Sequence, residues 1–301
     1  RRYGRLRLGT LGWLAVVLIF LDLASVGAYT DLGTEPPTAG FDHPEIVGFL
    51  QSEPGFFRID SRTDVWGEWQ PNLALLAGLD DVGGIDNPLV VADVARFFGG
   101  TGGRSTRLYD LLGVRYVLGS KEVALDVDKF GLAFNADPEV DVYRNETALP
   151  RTFVVHRAIV VPDHEAAWTQ IQQPGFDPAT TVVLEGGQPM DLQQDAQSSA
   201  KVVRYEPNAL EIEVHSQADG YLFLSDPFYP GWRAELDGEP TTLLRADYAF
   251  RAVAVPTGTH TVTMTFRPGS WYAGLGISLF TVALLLIAGV WALRRQRRQK
   301  P

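Results

Sequence analysis

A short loop late in the chain combines residue types that bind sugars. The run Asp226–Arg233 (DPFYPGWR) holds a carboxylate, large aromatic rings and a guanidinium. Aromatic rings pack against the apolar faces of sugars, while the charged groups bind hydroxyls or phosphate. Asp226, Tyr229, Trp232 and Arg233 are therefore candidate substrate-binding residues. The alternative is that the two aromatic side chains pack at the corner of a sheet and Arg233 pairs locally.

A second aromatic stretch, DVWGEWQPN, follows the strand-like run FFRID. Two tryptophans in a polar stretch are unusual for a core, so Trp66, Glu68, Trp69 and Asn72 are the leading candidates for contacts with a sugar acceptor. Positions 66 and 69 cannot share one face of an extended segment. A paired aromatic platform therefore requires a turn or short helix here. The alternative is that both rings belong to the core.

The remaining reactive residue types point to no catalytic or metal centre. The chain has no cysteine, which excludes a disulfide framework, a thiolate zinc site and a cysteine nucleophile. Its five histidines show no ligand spacing. Asp126 and Asp128 match the DxD pattern that holds metal-bound nucleotides in some glycosyltransferases, but solvated surface charge is much the better explanation. The sequence predicts no cofactor.

The C-terminal hydrophobic run is long enough to cross a membrane. Residues 271–293 contain no charge, and RRQRRQKP follows as a basic tail over 294–301. At about 1.5 Å per residue this helix is roughly 35 Å long, against a hydrocarbon core of about 30 Å. Trp271, Tyr272 and Trp291 fall where interfacial aromatic residues are expected. We predict a transmembrane helix over 271–293.

The N-terminal hydrophobic run is interrupted by Asp22. We predict a retained transmembrane helix over 8–29, with Asp22 in its outer half, where the cost of a charge is lower than at the centre. The alternative is a signal peptide, because Leu8–Leu21 has the length of a signal hydrophobic region and small residues follow.

The charge distribution predicts the topology. The two tips carry nine of the 26 lysines and arginines and no acid, which leaves residues 8–293 with 17 basic against 36 acidic residues. The positive-inside rule places both tips in the cytoplasm and residues 31–268 outside, in a multi-pass membrane protein. The net charge of -10 argues against a nucleic-acid partner. The lipid bilayer is the expected partner.

The outer segment is predicted to be α+β. Over 31–185, helix and strand signals alternate, as in a small α/β layer. Residues 186–200 are polar, which predicts a linker. Over 201–268 the apolar period becomes two, with turn signals every 8–12 residues, which predicts an antiparallel β-sandwich. Only three residues separate its last strand from the helix at 271, so the sandwich must lie close to the membrane surface.

These residues carry a resemblance to a known family. The C-terminal region resembles the bacterial YfhO-type membrane proteins, and LYDLLGVRYVLGS and VYRNETALPRTFVV upstream are similar to the same family. The late motifs that carry the resemblance are Tyr229-Pro230-Gly231-Trp232, Asp237-Gly238, Ala249-Phe250-Arg251, Gly258-Thr259-His260 and Arg267-Pro268.

The resemblance implies a multi-span glycosyltransferase of the GT-C type. Such enzymes take sugar from a polyprenyl-phosphate donor outside the membrane and glycosylate envelope polymers such as lipoteichoic acid. Their catalytic acid lies in an early outer loop, and no residue here matches it, so the chain is interpreted as the C-terminal portion, which caps the site or binds the acceptor. The alternatives are a non-catalytic membrane-anchored carbohydrate-binding or adhesion module, and a structural partner in a membrane complex.

Overall fold

A computed structural model of the protein describes residues 8–27, 42–63, 65, 69–83, 90–122, 125, 128–191 and 198–298. The chain divides into two compact units, Arg1–Asp42 and His43–Pro301. In the first unit, helix α1 spans Leu8–Gly27. The helix predicted at 8–29 is present, but its apolar stretch, Gly12–Ser25, is shorter than a typical span. Its crossing of a membrane stays a prediction.

The second unit contains the other helices of the described chain. Pro44 occupies the first turn of one of them, where its missing N–H costs nothing. Asp163 caps another by accepting a hydrogen bond from the backbone N–H of Ala166 at 2.8 Å. Numbered along the chain, these helices are α2 (Pro44–Ser52), α3 (Leu73–Leu76), α4 (Ala92–Gly99), α5 (Arg107–Asp110), α6 (His164–Ile171) and α7 (Gly269–Arg298).

Sixteen strands form three sheets within the described residues. The early strands are β1 (Arg58–Asp60), β2 (Val114–Ser120), β3 (Phe130–Phe134), β4 (Val140–Asn145), β5 (Thr152–Val155), β6 (Arg157–Val160), β7 (Thr181–Leu184) and β8 (Met190–Asp191). The late strands are β9 (Ser199–Glu206), β10 (Ala209–Ser216), β11 (Gly220–Leu224), β12 (Trp232–Leu236), β13 (Glu239–Thr241), β14 (Leu243–Ala246), β15 (Phe250–Val255) and β16 (Gly258–Phe266).

The three sheets differ in size and in strand direction. The four-stranded sheet has the order β1-β2-β4-β3, with β1 parallel to β2. The five-stranded sheet has the order β13-β12-β16-β10-β9 and is antiparallel. The seven-stranded sheet has the order β5-β11-β15-β14-β7-β6-β8, in which the pairing of β6 with β7 is parallel. The fold is therefore mixed α+β with several antiparallel pairings.

The seven-stranded sheet is the middle layer of the second unit. Alternate residues of β11 point to opposite faces. Tyr221 and Phe223 join a core cluster that also contains residues of α4, α5 and α6. Leu222 and Leu224 join a second cluster shared with β10, β12 and β16 of the five-stranded sheet. Because a core cluster covers each face of the sheet, every residue of β11 is buried.

Local patterns predicted most strands but not their partners. The antiparallel strands expected over 201–268 form, yet one of their two sheets is completed by strands from 152–191. β5, which precedes the predicted linker at 186–200, pairs with β11, which follows it. Sheet pairing therefore crosses the predicted domain boundary, which lies inside one compact unit. The stretch 186–200 also contains β8 and the start of β9.

Helix α7 follows the last strand after two residues. Its stretch Gly269–Trp291 is long and apolar enough to cross a membrane, and it is the one such helix among the described residues. Its large apolar side chains are exposed, as expected for a helix whose surface contacts lipid rather than protein.

Candidate functional site

Asp226 lies at the point where the three sheets meet. It follows β11 of the seven-stranded sheet and is 3% exposed. Arg58 reaches it from β1 of the four-stranded sheet, and Tyr205 reaches it from β9 of the five-stranded sheet. Arg151, immediately before β5, and Arg251 of β15 complete the group. The predicted candidate Asp226 is therefore the centre of a buried ionic cluster.

Both carboxylate oxygens of Asp226 are occupied by protein donors. Oδ1 accepts hydrogen bonds from Nη2 of Arg58 at 2.6 Å and from Nη2 of Arg151 at 3.0 Å. Oδ2 accepts from the hydroxyl of Tyr205 at 3.1 Å and lies 3.9 Å from Nη2 of Arg251. Asp226 is buried and engaged by these partners, so its predicted role in binding a sugar hydroxyl stays a prediction.

The cluster carries excess positive charge. Asp226 and Asp80, which also pairs with Arg151, are its two carboxylates against three guanidinium groups. Burial alone would raise the pKa of Asp226, but the three arginines outweigh it and hold the pKa below its ordinary value. Burial and the charge of Asp226 together raise the pKa of Tyr205. Asp226 is therefore ionised and Tyr205 protonated at neutral pH.

A cleft of about 500 Å³ opens beside this cluster. It is bounded by the loop before β1, the segment that leads into β5, and the edge strand β9. Its described lining has four cations, three aromatic rings and no carboxylate. These residues are Arg115, Arg151, Lys201, Arg204, Phe56, Phe57 and Tyr205.

Arg151 forms the floor of the cleft. Its side chain is 1% exposed, and its guanidinium carbon lies 3.5 Å from the centre of the Phe56 ring. It also donates to the hydroxyl of Tyr205 at 3.1 Å, and its Nε has no hydrogen-bond partner among the described residues. Arg115 lies over the ring of Phe57 at 4.6 Å. The cleft is thus a positively charged surface backed by aromatic rings, in a chain whose net charge is negative.

The other candidates of the late loop lie apart from the lining of this cleft. Tyr229 is 49% exposed, and its ring centre lies 6.3 Å from that of Phe266. Trp232 is half-buried between Phe266 and Arg251, whose guanidinium carbon is 4.0 Å from the indole. Arg233 is exposed on β12. Arg251 therefore connects the loop to Asp226, while Tyr229 and Arg233 face outward.

The structure does not support the predicted platform of two exposed tryptophan rings at Trp69, which is the described member of the pair. Trp69 is 1% exposed and its ring lies 5.5 Å from that of His43. The expectation that Trp69 presents an exposed ring is wrong, because the polar neighbours in sequence do not prevent the side chain from entering the core. Asn72 is exposed at the start of α3, with a left-handed backbone. Trp66 and Glu68 lie outside the described residues.

Sequence reasoning missed the residues that contact Asp226 and line the cleft. Arg58 is a cation inside the otherwise apolar run FFRI, and such a residue must find a partner when its strand is buried. That signal pointed to an ion pair but not to its partner, which lies 168 positions away. Lys201 and Arg204 gave no signal, because only the fold brings β9 beside the segment before β5.

A second buried carboxylate, Asp60, ends β1. It is fully buried and accepts hydrogen bonds from the hydroxyl of Tyr109 at 2.7 Å and from Nε of Arg104 at 3.2 Å. Arg62 also pairs with it. These contacts hold the pKa of Asp60 below its ordinary value despite burial. The described residues contain no group of three or more side chains suited to holding a metal ion.

The fold and the apolar helix together define a class: a large α+β domain that adjoins a candidate membrane span. Residues 190–278 match the family model described as the bacterial membrane protein YfhO. Over this range the match supports the predicted resemblance to the YfhO-type bacterial membrane proteins. The matched range contains Tyr205 and Asp226. No curated protein and no solved structure matches the chain.

Proposed function

We propose that this chain supplies the acceptor-binding domain of a YfhO-like membrane glycosyltransferase. In this proposal the enzyme transfers sugar from a polyprenyl-phosphate donor to a polymer of the cell envelope, and the domain caps the reaction site. The observation that carries the proposal is the cationic, aromatic cleft beside Asp226. Its volume of about 500 Å³ is in the range of small-ligand sites and suits a few units of an extended polymer.

The lining of the cleft suits a phosphate-bearing glycopolymer. Arg115, Lys201 and Arg204 can pair with phosphate oxygens, and no carboxylate in the described lining would repel them. Phe56 and Phe57 can pack against apolar sugar faces. The buried contacts of Arg151 hold the floor rigid before the polymer arrives, which reduces the entropy lost on binding.

Removing two exposed cations from the cleft is expected to weaken polymer binding. Lys201→Gln with Arg204→Gln should raise the Kd for a glycerol phosphate polymer roughly fivefold, since two exposed ion pairs of about 0.5 kcal/mol each contribute about 1 kcal/mol. Both side chains are exposed, so stability should not change. Binding is measured by titrating the detergent-solubilised protein with the polymer at several salt concentrations, and the variant should show the shallower salt dependence.

Arg144→Gln with Arg157→Gln is the matched control. These two cations are also exposed and lie outside the cleft lining. Equal binding by both double variants and the wild type would contradict a role for the cleft. Transfer of labelled sugar, measured in membranes of cells that produce each form, should fall with binding in the cleft variant and stay unchanged in the control.

The absence of a carboxylate from the described lining also favours a second candidate function, a non-catalytic carbohydrate-binding or adhesion module. A binding module needs no general base, whereas glycosyl transfer does. The transfer measurement separates the two. Loss of polymer binding with no effect on sugar transfer would support the module.

We further propose that the domain lies outside the cytoplasmic membrane, with both basic tips in the cytoplasm. The lack of cysteine allows a direct test by single-cysteine labelling. A cysteine at exposed Gln217 should react with an impermeant thiol reagent added to intact cells, while one at Gln299 should react only after the cells are opened. The reverse pattern would overturn this topology.

A further inference from the structure

The loop Pro227–Arg233 packs on the segment that enters helix α7. The rings of Tyr229 and Trp232 lie 6.3 and 5.4 Å from the ring of Phe266, the last residue of β16. The backbone N–H of Arg267 donates a hydrogen bond to the carbonyl of Gly231 at 2.7 Å. The loop is therefore fixed within three residues of the start of α7.

Gly231 makes this close packing possible. Its φ of 113° lies in a region that other residues rarely adopt. A Cβ at this position would lie 2.9 Å from the Phe266 ring and 3.0 Å from Cα of Pro268. A side chain here would push the loop away from the entry to the helix.

Exposed aromatic and cationic side chains gather at this end of the domain. Tyr229, Trp271 and Tyr272 are 49%, 67% and 58% exposed. Arg233 and Arg267 are exposed as well. We call these five residues the interface patch. The chain carries no acidic residue over 227–233 or 264–272, although it is acidic as a whole.

This composition matches the chemistry of a bilayer surface. Tyrosine and tryptophan prefer the headgroup region, where the ring meets apolar chains and the polar atom stays hydrated. Arginine pairs with lipid phosphates and is attracted to an anionic membrane surface. Because α7 begins at Gly269 and its apolar stretch starts there, the interface patch lies at the level where the helix would leave the hydrocarbon.

We propose that the interface patch contacts the headgroup layer of the bilayer that α7 crosses. Tyr229 enters the headgroup layer, and Arg233 and Arg267 bind lipid phosphates. Trp232 holds the loop in place by packing between Phe266 and Arg251. A helix joined by two residues could still tilt, but a second contact at the loop fixes the orientation of the domain. The partner of Tyr229 and Arg233 is then lipid rather than the sugar expected from their residue types.

The test uses two single-cysteine variants of the full chain in vesicles of phosphatidylglycerol and phosphatidylcholine. Tyr229→Cys places an environment-sensitive fluorophore in the interface patch. Gln217→Cys is the control, since it follows Ser216, which pairs with Gly258 at the opposite end of β16. Nine residues of extended strand separate the two ends of β16 by roughly 25–30 Å.

Lipid with a nitroxide on its headgroup should quench most of the fluorescence at position 229 and little at position 217. Arg233→Gln should reduce the quenching at position 229 in vesicles that contain phosphatidylglycerol. Equal quenching at the two positions would overturn the proposal. If Tyr229→Ala instead weakens polymer binding, the loop is a glycan contact. The cleft variant at Lys201 and Arg204 must keep the wild-type quenching, so this result is independent of the acceptor-binding proposal.

Discussion

Asp226→Asn is expected to lower the free energy of unfolding by about 3–5 kcal/mol, the usual cost of removing one partner from a buried ion pair. The substitution keeps the shape of the side chain but removes its charge. Arg58, Arg151 and Arg251 would then face each other with only Asp80 to offset them. Because the cluster joins all three sheets, the loss should appear in the unfolding of the whole domain.

Thermal and urea unfolding of the solubilised protein measure this effect. Glu206→Gln is the control, because Glu206 is an exposed carboxylate that lies 3.9 Å from Arg204. Its unfolding temperature should stay near that of the wild type. An Asp226→Asn protein as stable as the control would mean that the arginines do not need this carboxylate.

Because the pKa of Asp226 is lowered in the folded state, the stabilisation by this cluster depends on pH. The folded pKa lies below the unfolded value, so the contribution is complete above the unfolded pKa of about 4. It is lost as the pH falls through the lower, folded value. Asp226 therefore adds to acid sensitivity and not to sensitivity at neutral pH.

Asp247 should make the protein less stable as the pH rises toward 8. This carboxyl is 1% exposed, and burial raises its pKa to about 8. Its Oδ1 accepts a hydrogen bond from the backbone N–H of Val183 at 2.8 Å. Because the folded pKa is above the unfolded one, the folded state holds a proton that the unfolded state releases between about pH 4 and 8. The free energy of unfolding therefore falls by up to about 1.4 kcal/mol per pH unit in that window.

Asp247→Asn tests this pH dependence. Asparagine accepts the same hydrogen bond from Val183, tolerates the positive φ of 43° and does not ionise. The variant should therefore gain stability over the wild type, and the gain should grow from pH 5 to 8. Melting temperatures measured at several pH values check it. Parallel curves for the two proteins would show that Asp247 does not titrate in this range.

Periodicity in the sequence was enough to predict single elements. β10 buries Leu210, Ile212 and Val214 on one face, as the apolar period of two over 201–268 predicts. Helix α4 lies between glycines that obscure its helical pattern in the sequence. Local patterns reflect burial along one element, so they predict the element without its neighbours.

The candidate site depended on information that local sequence does not contain. The residue types of the loop Asp226–Arg233 predicted a binding site, but they did not predict that Asp226 is buried while Tyr229 is exposed. Partners such as Arg58 and Tyr205 are set by which strands meet, and sheet order follows from long-range packing rather than from any one segment. Trp69 shows the same limit, since polar neighbours in sequence did not keep its ring at the surface.

The position of β16 has a consequence for biosynthesis. Of the five strands in its sheet this one is made last, yet it lies in the centre, between β12 and β10. The sheet cannot close until Phe266 is available, and α7 follows almost at once. Pairing between distant strands is slow and leaves strand edges open meanwhile. In the proposed topology, completion of the domain and arrival of the helix at the membrane are nearly simultaneous, so the newly made domain would fold while held at the bilayer surface rather than free in solution.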